Sequence, residues 1–177
     1  RALERAGLRP VAVRSPLHLV APEGQLQIHT ATYRGSFSTV FSQAMRAAGL
    51  GSRVLIAQFL KGGVSQGPQH CVRLCGGLVW LRPDVQACLT EPKQAEADDA
   101  VDEIWQLCRQ HLLSGNLDQL VLDEIGLAVS LGYLNEDDLV HTLLQRPGSM
   151  DVIITGPSIS PAVMAMADQV TELRGGF

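Results

Sequence analysis

The residues most able to do chemistry stand where two apolar runs end. Val121-Leu122-Asp123-Glu124 closes one run with two consecutive acids. A carboxylate on a rigid strand end can be aimed at a Mg²⁺ that bridges phosphates, the arrangement of a Walker B motif. An acid capping the helix that follows is the alternative for the same residues. A second run ends in His29-Thr30 and leads into Ala31-Thr32-Tyr33-Arg34-Gly35-Ser36-Phe37-Ser38-Thr39. That is where a phosphate-binding loop, G-x-x-x-x-G-K-[ST], would lie. Its glycines let backbone N–H groups wrap the phosphates, its lysine neutralises them, and its hydroxyl binds Mg²⁺.

In this chain the register of that loop's G-K-[ST] end is kept and its chemistry is not. Gly35 is retained, Ser36 replaces the lysine and Phe37 replaces the hydroxyl, while Ala31 takes the first glycine position one residue nearer Gly35 than that spacing gives. Losing the lysine removes a charge-assisted contact worth about 1.5–3 kcal/mol. The candidate residues of this degenerate nucleotide loop are Thr30, Ala31, Arg34, Gly35, Ser36 and Ser38. Asp123 and Glu124 are the candidates for Mg²⁺, should ATP bind, and Arg34 and Lys61 are candidate compensating cations.

Such a loop needs a parallel sheet to carry it, and the chain supplies one. Apolar runs at Leu26–Thr30, Val54–Phe59, Gly77–Leu81, Leu120–Asp123 and Val152–Thr155, with Val170–Leu173 as a sixth candidate, alternate with helix-period segments. Several are apolar on consecutive residues, as expected of strands covered on both faces. Val101, Ile104, Trp105, Cys108 and Leu112 recur at three and four residues and predict one buried helical stripe. Glu96, Asp98, Asp99, Asp102 and Glu103 load its start with negative charge, either as a solvated helix start or as an acidic binding patch. Asn135 and Ser160-Pro161 predict two further helix starts, and Pro147-Gly148 a helix end. The expectation is a three-layer αβα, P-loop NTPase-like domain over residues 25–177, with a mostly parallel central sheet. Residues 1–24, rich in proline, read as an arm leading into it.

Composition narrows the rest. The chain has 177 residues and a net charge of −4, with acids and bases interspersed, so neither nucleic acid nor a membrane is the expected partner. No uninterrupted apolar window approaches the roughly 18 residues of a membrane span. No targeting segment is visible. The sequence opens on Arg1 rather than methionine, so we expect further residues ahead of it. Cys71, Cys75, Cys88 and Cys108 lack the paired short spacings of a zinc site and read as free thiols in a reducing cytosol. Thiol or metal chemistry at His70, Cys71, Cys75 and Cys88 is the minor alternative. Met45, Met150, Met164 and Met166 read as core or near-core residues.

From Thr30 to Gly62 the chain resembles the start of the corrinoid adenosyltransferases, which act on cob(I)alamin and related corrinoids. Their pattern runs T-G-N-G-K-G-K-T-T, then R-A-x-G-x-G at a helix end, then Q-F-I-K-G at a strand end. Arg46-Ala47-Ala48-Gly49-Leu50-Gly51 and Gln58-Phe59-Leu60-Lys61-Gly62 match the last two. The resemblance resumes at Leu117–Glu124, Gly132-Tyr133-Leu134, Arg146-Pro147-Gly148, Val152–Gly156 and Ala167–Arg174. It implies a P-loop fold, a cytoplasmic homodimer, and a reaction in which Co(I) attacks the 5′ carbon of ATP and expels triphosphate. Asp123 and Glu124 would then serve Mg²⁺ and ATP, and the Ala31–Ser38 loop the leaving polyphosphate.

The departures fall on those same groups. The family's G-F-T-W segment, which packs on the corrinoid, corresponds to about Val85–Thr90, where there is no aromatic. The family's glutamate after Q-F-I-K-G falls at Pro68. Arg34 matches a basic residue of the family's loop, and His29 an aromatic, so His29 is expected to be a buried, hydrogen-bonded ring rather than a catalytic base. Two functions follow. One is a non-catalytic binding or regulatory protein with an unidentified protein partner and a lost ATP site. The other is an active ATP:cob(I)alamin adenosyltransferase with an altered loop, using Mg-ATP and a corrinoid.

Overall fold

The strands that end at Gln58, Asp123 and Gly156 are apolar on consecutive residues because helices cover both their faces. In the strand that ends at Asp123, Leu120 and Leu122 belong to one buried cluster while Val121 belongs to the other. Such a residue contributes about 1.5–3 kcal/mol when fully buried. The computed structural model describes residues 23–35, 37–62, 72–74, 77–85 and 88–174.

The elements in chain order are β1 (Leu26–Ala31), α1 (Ser38–Gly49), β2 (Arg53–Gln58), β3 (Val72–Leu74), β4 (Gly77–Leu81), α2 (Ala95–Ser114), β5 (Gln119–Asp123), α3 (Ile125–Ser130), α4 (Glu136–Leu144), β6 (Asp151–Gly156), α5 (Pro161–Met166) and β7 (Gln169–Leu173). The sheet order is β3-β4-β2-β5-β6-β1-β7, and only the short β3, at one edge, runs antiparallel to its neighbour. The larger cluster packs α2, α3, α4 and α5 on one face through residues such as Trp105, Ile125, Leu143 and Val163. The smaller cluster packs α1 on the other through Val40, Ala44 and Ala48 against Val54, Ile56, Val121 and Ile153. The three-layer α/β expectation holds.

All six expected strands form, including Gly77–Leu81, where β4 has those bounds, and Val170–Leu173, which lies within β7. The helix starts behave as the sequence dictates. Asn135 Oδ1 accepts from the Asp138 N–H at 3.0 Å, and Ser160 Oγ accepts from the Val163 N–H at 3.3 Å, with Pro161 in the first turn. The reading of the methionines needs one correction. Met150 is fully buried, but Met45 is 40 % exposed on the outer side of α1. Of the expected arm, residues 1–22 lie outside the described residues, and Gly24 is tied to the domain through its N–H and the Gly148 carbonyl.

Candidate functional site

Parallel strands bring their carboxyl ends to one side of the sheet, where ligands of such folds bind. There β1 delivers the Ala31–Gly35 loop, β5 delivers Asp123 and Glu124, and β6 lies between them. Glu124 has left the strand with φ 59° and sits at the start of α3, where its side chain makes no capping hydrogen bond. The helix-cap alternative for this acid therefore fails.

Both carboxylates are about 1 % exposed, and each of their oxygens accepts from a protein donor. The Thr155 hydroxyl, at the end of β6, donates to Asp123 Oδ1 at 2.6 Å and accepts from the Glu124 N–H at 3.1 Å. Gln58, at the end of β2, donates its Nε2–H to Asp123 Oδ2 at 3.0 Å, and Lys61 Nζ stands 3.6 Å from the same oxygen. Arg34 grips Glu124 bidentately, with Nε to Oε1 at 2.7 Å and Nη2 to Oε2 at 2.9 Å. Its remaining terminal nitrogen, Nη1, donates to the Leu89 carbonyl at 2.8 Å. Its hydrogen bonds to Glu124 raise the Arg34 pKa above its ordinary value. Gln58 is itself fixed, since its Oε1 accepts from Trp80 Nε1 at 2.8 Å and from Arg82 Nε at 2.7 Å.

The two cations singled out in the sequence thus meet the two acids singled out beside them. The other loop residues do not join this cluster. Thr30 and Ala31 are half-buried at the end of β1, Gly35 and Ser38 are exposed, and Ser36 lies outside the described residues. Phe37 points away from the site, 2 % exposed in the α1 cluster with Val40, Ile56, Val121 and Ile153. The sequence reading did not place Thr155, Trp80, Arg82 or the Leu89 carbonyl in the site. The Gln58–Gly62 match was the one available signal for Gln58 and Lys61.

Beside Arg34, the segment after β4 lines a pocket of about 450 Å³ with Val85, Cys88, Leu89 and Ala97, between the acids Asp84 and Glu96. Cys88 is exposed, and Cys108 is buried in the core, which pushes its thiol far above the ordinary range. His70, Cys71, Cys75 and Pro68 lie outside the described residues, and no metal-binding group of three or more His, Cys, Asp or Glu occurs among those described. His29 is half-buried rather than buried, and burial lowers its pKa. At the start of α2, Glu96, Asp99, Asp102 and Glu103 are exposed and Asp98 pairs with Lys93 at 3.0 Å, which fits a solvated helix start. Among the described residues no helix is long and apolar enough to cross a membrane.

The comparisons with known proteins agree with this layout. Residues 22–175 match the model of the family described as ATP:corrinoid adenosyltransferase BtuR/CobO/CobP. A corrinoid adenosyltransferase of Escherichia coli is 31% identical over 152 residues, covering 85% of this chain and 76% of the relative. One of Salmonella typhimurium is 32% identical over 152 residues with the same coverage, and one of Pseudomonas aeruginosa is 29% identical over 160 residues, covering 85% and 74%. With that match spanning most of its length, the chain belongs to the ATP:corrinoid adenosyltransferase family.

Proposed function

We propose that this protein is a member of its family that has given up the Mg-ATP site and acts as a non-catalytic binding or regulatory protein. The observation that carries the reading is the burial of both acids against the chain's own donors. Each oxygen of Asp123 and Glu124 already faces a donor or cation of the chain itself. A Mg²⁺ entering there would have to displace Arg34, Lys61 or Thr155, and Phe37 offers no hydroxyl in exchange. The residues as arranged do not fit that ion. The polyphosphate fares no better, because the cations at hand are paired with carboxylates. The segment beside the pocket at Val85 brings no aromatic to stack on a corrin ring.

The test is calorimetric titration of Mg-ATP into the purified protein, with and without cobalamin. No detectable heat with either ligand is the expected result. Micromolar binding, about −8 kcal/mol, would overturn the reading. The second reading, an active adenosyltransferase, is favoured by the well-formed strand end, where Thr155 orients Asp123 and Glu124 together. Adenosylation of cob(I)alamin above background would establish it. The first reading calls for a partner protein or an allosteric ligand as the natural ligand, and sedimentation at several concentrations separates self-association from either.

A further inference from the structure

Arg34 does more than neutralise Glu124. Its three hydrogen bonds reach two different segments, the start of α3 at Glu124 and the loop between β4 and α2 at Leu89. Leu89 in turn donates its N–H to the Leu60 carbonyl at 2.8 Å, beside Lys61, which faces Asp123. The loops that follow β1, β2, β4 and β5 are therefore gathered through one guanidinium and one backbone hydrogen bond. Gathering these loops is the structural task of a ligand bound across strand ends. We infer that Arg34 is an internal clamp performing that task, so that an anion reaching the loop must compete with Glu124 for the same guanidinium.

The inference rests on the reading that no nucleotide holds this loop, but its test does not depend on nucleotide. The loop backbone is accessible, with Tyr33 82 % exposed and Gly35 exposed, while the Arg34 side chain is 27 % exposed and donates a hydrogen bond from each of its three nitrogens. Trypsin must draw that guanidinium into its own acidic pocket before it can cut between Arg34 and Gly35. Cleavage there reads the clamp directly, normalised to cleavage after Arg174, whose side chain is 88 % exposed. In E124Q the charge-assisted bidentate pair is lost, and cleavage after Arg34 should accelerate by about tenfold or more. Equal rates in wild type and E124Q would overturn the clamp.

A second measurement needs no variant. Butanedione should modify Arg34 of the wild-type protein at least about tenfold more slowly than Arg174, as read by peptide mass spectrometry. Equal modification would also overturn the inference. Should wild type bind Mg-ATP while both clamp results hold in nucleotide-free protein, the functional reading fails and the clamp stands.

Discussion

Restoring the hydroxyl that a metal site needs should damage the fold, because its position has been handed to the core. Phe37 is 2 % exposed and belongs to the cluster that joins α1 to β2, β5 and β6. Truncating a buried phenylalanine to alanine costs about 3–5 kcal/mol. Threonine recovers part of this. Phe37 stands at the N-cap of α1 with no side-chain cap bond, and its carbonyl already accepts from the Val40 N–H at 3.0 Å. A threonine hydroxyl there can cap the first turn, a contribution of about 0.5–2 kcal/mol. F37T is therefore expected to lose about 2–4 kcal/mol, a large share of the 5–15 kcal/mol typical of a domain. Urea titration of wild type and F37T checks this through a lowered midpoint at unchanged slope. A loss under about 1 kcal/mol would refute the reasoning, since a ring so cheaply removed cannot be packing the sheet. Rebuilding the phosphate loop with S36K and F37T together carries the same penalty before any nucleotide binds.

Two further predictions follow from the same region. Gly156 has φ 130°, and a Cβ there would lie 3.1 Å from the Glu124 Cα, so G156A should cost about 1–3 kcal/mol in backbone strain and push directly on the clamp; an unchanged melting temperature would count against that contact. Burial lowers the His29 pKa below its usual 6.5, so the unfolded chain binds the proton more readily; stability should be full above about pH 6.5 and fall as pH drops through that value toward the folded pKa. H29Q should flatten that dependence as pH falls below about 6.5, and urea midpoints that fall equally in both proteins would sink the assignment.

Much of the fold was legible because local chemistry and tertiary packing agree. Asn135 and Ser160-Pro161 cap helices by bonds to their own first turns, and β5 and β6 are buried strands written as continuous apolar runs. Two short elements without a capping signal were not legible. β3 has only Val72-Arg73-Leu74, with Val72 and Arg73 exposed at the sheet edge, and α3 is a six-residue helix, too short for a periodic stripe. In the site, Asp123 and Glu124 announced themselves by position at a strand end. What they touch did not, because Arg34 and Glu124 are 90 residues apart and Gln58 and Asp123 are 65 apart. Only the sheet order sets which strand ends are neighbours. Phe37 is the instructive middle case: its identity showed that a hydroxyl was missing, but only its burial among α1, β2, β5 and β6 shows what replaced it.

The intact acid pair is the best argument for catalysis, and electrostatics offers another account of it. Asp123 and Glu124 are about 1 % exposed, and an unpaired carboxylate at that depth costs several kcal/mol. A fold that keeps them must keep cations against them. With serine at the lysine position of the loop, the cations that the described residues bring to the acids are Arg34 and Lys61. Each pair is then held by mutual need. Replacing one member strands the other charge, at a cost of about 3–5 kcal/mol, whereas exchanging a whole pair for apolar residues demands matched changes on distant segments. Retention of the acids and internal capture of the cations are two sides of one arrangement. The Walker B signature can therefore persist on stability alone, and its presence does not by itself argue for turnover.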